Sequence, residues 1–123
     1  MQTILLYIGS VIIMLWGVAH LFATKNVIAG FGELSQNNKQ ILTMEWLAEG
    51  FTLIFIGALI FLITKFYGTA DGASVFVIRA ATVMLIAMSI LSFFTGFRTT
   101  IIPIKICPFV KILTAILFFM GRL

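Results

Sequence analysis

The chain has 123 residues, of which 62% are hydrophobic and 10% charged, and its eight basic and four acidic residues give a formal net charge of +4. Soluble domains carry about 25% charged residues, so this chain lacks the polar material to coat a water-exposed globule, and its mean hydropathy of +1.20 points to an integral membrane protein. The basic residues are scattered singly, which excludes a nucleic-acid tract and places them at helix ends and lipid headgroups.

Four apolar segments follow one another along the chain, from about Ile4 to Ala23, Ile41 to Thr64, Ala73 to Phe97 and Ile101 to Met120. Each has roughly the 20 residues that a spanning helix needs. Backbone polar groups in hydrocarbon must satisfy one another, and no barrel-like alternation is present, so helices are expected rather than strands. The first segment follows Met-Gln-Thr, with no Lys or Arg before Lys25 and a poor cleavage sequence at Gly17-Val18-Ala19. A signal peptide would carry a basic start and a small-residue cleavage site, so this span is expected to be retained.

Residues 24–40 form the one substantial polar loop, with Gly30 and Gly32 marking a turn and Ser35 placed as an N-cap for the second helix. Tyr67–Gly72 reads as a turn, and the link around Arg98-Thr99-Thr100 is tight. Pro103 and Pro108 predict an irregular or kinked start to the fourth helix. Short links make neighbours antiparallel, so the expected fold is all-α, a single transmembrane domain over residues 1–123 built as an up-down four-helix bundle. Gly9, Gly17, Gly50, Gly57, Ser89, Ser92 and Gly96 supply small residues for close helix approach. Setting Lys111 aside as mid-membrane, basic residues divide four (Lys25, Lys39, Arg98, Lys105) to three (Lys65, Arg79, Arg122) between the two sides. The positive-inside rule then prefers the 24–40 loop in the cytoplasm by a single charge.

The most informative stretch is Met44-Glu45-Trp46-Leu47-Ala48-Glu49-Gly50, which holds half of the acidic residues. A charge near a bilayer centre costs roughly 2.5–3.5 kcal/mol on insertion scales, so a pair of them in an apolar run asks for a reason. At 1.5 Å per residue, Glu49 lies roughly 5 Å and Glu45 roughly 11 Å from the middle of the second span, with His20 about 10 Å from its own midpoint on the same side. Lys111 falls near the middle of the fourth span, with Lys105 and Arg98 nearer that side. Intramembrane ionisable groups face the bundle interior and pair with one another.

Several chemistries fit. Glu45 and Glu49, at i and i+4, share a helix face, and Trp46 beside them suits either ligand stacking or anchoring at the membrane interface. A structural reading makes the cluster an ion-pair staple, Glu49 with Lys111 and Glu45 with Lys105, Arg98 or His20. A functional reading pairs His20 with Glu45 as a proton-transfer couple. His20, Glu45 and Glu49 offer too few ligands for most transition-metal sites, so no metal is expected, and the single histidine excludes bis-histidine haem. Cys107, the only cysteine, excludes an internal disulfide and reads as a small buried hydrophobe. Arg79 is expected to snorkel, with Asp71 in reach.

A four-span chain with Gly17-Val18-Ala19-His20-Leu21 ending its first helix and Glu49-Gly50-Phe51-Thr52-Leu53-Ile54-Phe55-Ile56-Gly57 in its second resembles the small DoxX-like membrane proteins. That resemblance implies a four-helix bundle and, for some members, an association with redox or quinone-linked systems; the absence of paired cysteines departs from a thiol redox role. The leading expectation is a multi-pass protein of the bacterial inner membrane, binding a small lipophilic or amphipathic molecule (a lipid or quinone-like) as an accessory protein, with Glu49, Glu45 and His20 at the polar end. It needs no other cofactor. The alternatives are a proton-coupled small transporter working as a homodimer and an intramembrane acid–base enzyme acting on a lipophilic substrate.

Overall fold

A computed structural model describes residues 1–123 as four helices without strands: α1 (Gln2–Ala29), α2 (Gln36–Tyr67), α3 (Gly72–Gly96) and α4 (Ile102–Gly121). All four are long and apolar enough to cross a membrane. Large apolar side chains such as Leu15, Phe22, Phe51, Phe55, Phe76 and Phe94 point outward, far more apolar surface than a water-soluble monomer exposes.

The third and fourth helices begin and end within a residue of the apolar boundaries, whereas α1 and α2 overrun theirs. Hydropathy marks where hydrocarbon ends, and a helix need not stop there. Lys25, Asn26 and Gln36–Gln40 continue the helices as polar turns, so the long polar loop shrinks to residues 30–35. Gly32 supplies the left-handed backbone (φ 77°) that reverses the chain. The Ser35 hydroxyl accepts from the Asn38 amide at 3.2 Å, the expected N-cap of α2. Asp71 does not meet Arg79. Its carboxylate caps α3, accepting from the Ala73 and Ser74 amides at 2.9 and 3.1 Å, and Arg79 is exposed. Pro103 sits in the first turn of α4, where its missing N–H costs nothing. Pro108 lies inside that helix, and the Ser89 hydroxyl of α3 donates to its carbonyl at 2.7 Å.

Around the bundle the helices run α2, α1, α4, α3: α1 packs on α2 and α4, α3 packs on α4, and α2 and α3 scarcely meet. A core of Leu6, Ile13, Leu53, Ile60, Ile78, Leu85 and Phe118 fills one half, drawn from the first half of α1, the first half and middle of α3, and the second halves of α2 and α4. The other half, towards the 30–35 loop, is polar inside. Small residues set the approach there. A Cβ on Gly50 would lie 3.1 Å from the Gly17 carbonyl oxygen and 3.1 Å from the His20 Cβ, so α1 and α2 cross backbone to backbone. One turn beyond Gly17 stands His20; beside Gly50 stands Glu49.

Candidate functional site

Glu49 is the hub of the polar half-bundle. One of its carboxylate oxygens, Oε1, accepts from the Lys111 ammonium of α4, and the other, Oε2, lies 3.6 Å from His20 Nε2 of α1. Lys111 is 1% exposed and also donates to the Ser92 hydroxyl of α3 at 2.6 Å. Glu49 therefore ties together α1, α2 and α4, and through Lys111 the tie reaches α3. Removing either partner of such a pair strands a charge in a low-dielectric interior.

His20 is held on every side. Its Nδ1 lies 3.1 Å from the Trp16 carbonyl oxygen, one turn earlier. A carbonyl only accepts, so Nδ1 carries the proton and Nε2 faces Glu49 and Cys107. The Trp46 indole stacks on the imidazole at 4.2 Å and 19°, and its N–H donates to the His20 backbone carbonyl at 2.7 Å. The Trp16 ring meets the imidazole edge-on at 5.5 Å and 78°. Cys107 completes the cluster from α4, its Sγ 3.6 Å from His20 Nε2 and 3.7 Å from Glu49 Oε1. The Trp16 indole N–H donates to that sulfur at 3.3 Å.

A cleft leads in to the cluster. Between α2 and α3 a cleft of about 420 Å³ opens, walled by Ile28, Phe31, Leu42, Met88 and Leu91, and Glu45, Glu49, Ser92, Thr95 and Lys111 contribute its polar lining. His20 and Cys107, 2% and 3% exposed, lie behind Glu49.

Of the residues expected at a site, Glu49, His20, Trp46 and Lys111 come together. Glu45 does not join them: it is exposed on the cleft rim, without the expected partner in Lys105, Arg98 or His20. A turn of helix separates it from Glu49 along the axis, and the crossing at Gly17 and Gly50 aligns His20 with the deeper acid. Lys105 lies over the Phe97 ring at 5.9 Å, and Arg98 is exposed in the α3–α4 link. Trp46 is not an interface anchor, since its ring is buried against His20. Cys107, Trp16 and Ser92 were not expected at the site. The first two carry a signal in the sequence: Cys107 is four residues before Lys111 and Trp16 four before His20, one helix face in each case.

No family model, curated protein or solved structure matches this chain.

Proposed function

We propose that the protein binds a small amphipathic molecule, a lipid or quinone-like compound, as an accessory or binding protein of the bacterial inner membrane. The observation that carries this reading is the cleft between α2 and α3, apolar at its walls and floored by Glu49, Ser92 and Lys111. Its volume falls in the range of small-molecule sites, and a few convergent polar groups on an apolar lining are what orients a ligand in them. The ammonium of Lys111 donates to a carbonyl or phosphate oxygen, and Glu49 accepts from a hydroxyl. Because α2 and α3 part, an acyl or prenyl tail can remain in the bilayer while its polar head reaches this floor. Membership of the DoxX-like proteins, with their quinone-linked examples, belongs to the same proposal.

The test is native mass spectrometry of the protein released from nanodiscs, with phosphatidylglycerol and a short-chain ubiquinone as added probes. Wild type is expected to retain one of them as a discrete adduct. Leu91→Trp, which places an indole in the cleft from an exposed position, is expected to lose it. A wild type without adduct, or an adduct equally retained by Leu91→Trp, would sink this reading.

A further inference from the structure

Behind the floor of the cleft, three groups of different chemistry converge. His20 Nε2, a Glu49 carboxylate oxygen and Cys107 Sγ all lie within 4.8 Å of one another, drawn from α1, α2 and α4. We infer that these three atoms form a binding site for a zinc-class transition-metal ion. The inference does not depend on the amphipathic ligand proposed above.

Geometry comes first. With metal–ligand bonds of about 2.0–2.3 Å, tetrahedral donors stand roughly 3.3–3.6 Å apart. His20 Nε2 is 3.6 Å from both Cys107 Sγ and Glu49 Oε2. The 3.7 Å contact of the sulfur on Glu49 is with Oε1, so small shifts at the side-chain ends, together with a carboxylate rotation that turns Oε2 towards Cys107, bring the three donors to coordination distance.

The surroundings also match those of a metal ligand set. A ligating histidine ordinarily donates its other ring N–H to a carbonyl or carboxylate, which fixes the tautomer. His20 does this through Nδ1 to the Trp16 carbonyl at 3.1 Å, and its Nε2, which faces the other two ligands, binds an ion once it is free of a proton. The Trp16 indole N–H donates to Cys107 Sγ at 3.3 Å, the contact that steadies a thiolate. Trp46 locks the imidazole plane from one face. Two of these contacts therefore fix the His20 ring and the third holds the Cys107 sulfur.

Lys111 is the group that opposes a cation. It is engaged with Oε1 of Glu49 and with Ser92, so Oε2, on the His20 side, remains the oxygen for the metal. Ion binding converts the Cys107 thiol to a thiolate and releases one proton to solvent. The charges are then +2 on the ion, −1 each on Cys107 and Glu49, and +1 on Lys111. A water that takes the fourth position and gives up its own proton to solvent, a second one beside that of the thiol, becomes a hydroxide and brings the cluster to neutrality, which lowers the cost of burying it. Mixed nitrogen, sulfur and oxygen donors select zinc-class ions over calcium or magnesium, which take oxygen alone.

The test uses Co²⁺ as a spectroscopic probe, titrated into the purified full-length protein after chelation. Site formation is expected to give intense tetrahedral visible bands with a thiolate-to-cobalt charge-transfer band in the near ultraviolet, both bleached by Zn²⁺. Since Cys107 is the only cysteine, the wild-type charge-transfer band by itself assigns the sulfur ligand, and the result does not hinge on whether a variant folds. Trp16→Phe, which removes the N–H to sulfur, is expected to weaken Co²⁺ binding by about 10-fold or more, and Arg79→Gln, at an exposed position far from the cluster, to leave it unchanged. A weak octahedral spectrum without the charge-transfer band in wild type would overturn the proposal, as would bands that survive in Cys107→Ser. Loss of ligand adducts in mass spectrometry with the cobalt bands intact would count against the amphipathic-ligand reading alone.

Discussion

A Cβ placed on Gly17 would stand 2.7 Å from the Gly50 carbonyl oxygen and 2.9 Å from the Ile54 amide nitrogen. Both obstacles are backbone, which no rotamer change can move aside. Gly17→Ala is therefore expected to push α1 away from α2, at a cost of about 1–3 kcal/mol, the usual range for overfilling a close contact. Because His20 and Trp46 lie a turn from this crossing, the same substitution is expected to separate the His20 carbonyl from the Trp46 indole. Unfolding free energy in detergent measures the first effect and Trp fluorescence the second. A Gly17→Ala protein as stable as wild type would mean that the two helices do not cross here.

Glu49 and Lys111 make an asymmetric pair, since the Lys111 side chain is 1% exposed and that of Glu49 26%. Removing one partner of a buried ion pair costs about 3–5 kcal/mol. Glu49→Leu leaves the fully enclosed ammonium with Ser92 alone and is expected at the upper end. Lys111→Met leaves a carboxylate that the cleft can hydrate and is expected at the lower end. The double substitution removes both charges, and its stability is expected to lie nearer wild type than either single variant. A double-mutant cycle read by denaturant unfolding checks the ordering, and equal costs that simply add would contradict it.

The helices and the deep acid were legible in the sequence because the bilayer imposes a strong one-dimensional signal. Apolar runs of spanning length leave few alternatives, and a charge within one must find a partner. Glu49 with Lys111 follows from that rule. The partner of His20 did not follow, because choosing Glu49 over Glu45 depends on where α1 crosses α2, and an offset of a single turn changes the answer. Cys107 was hidden by its own chemistry: a lone cysteine in an apolar helix looks like filler until the histidine from another helix lies beside it. Likewise, the cleft arises from α2 and α3 failing to pack, and no residue type in either helix announces a gap.

The Trp46 indole holds His20 in two separable ways, stacking on its ring and donating to its backbone carbonyl at 2.7 Å. Trp46→Phe keeps an aromatic face and loses the donor. Its expected cost includes about 0.5–1.5 kcal/mol for the hydrogen bond, together with a smaller stacking area. Trp46→Leu loses the face as well, a further loss of about 0.5–1.5 kcal/mol. Thermal unfolding of the two variants in one detergent gives the ranking, and a leucine variant as stable as the phenylalanine one would show that the stacked geometry contributes nothing.

Glu45 and Glu49 share a helix face four residues apart, yet only Glu49 has an ion-pair partner. Exposed and unpaired, Glu45 can keep its charge hydrated on the cleft rim. Glu45→Gln is accordingly expected to change stability by no more than about 0.5 kcal/mol, the ordinary range for a surface substitution. Glu49→Gln has a different expected outcome. The neutral amide still accepts from Lys111, but it no longer cancels the charge of an ammonium whose side chain is almost wholly buried. The two variants differ by the same single atom replacement, so intrinsic side-chain effects cancel in the comparison. Their unfolding free energies, measured side by side, isolate what depth and partnership contribute, with Glu49→Gln expected to be the less stable. Equal values would place the two acids in equivalent surroundings, contrary to the geometry around His20 and Lys111.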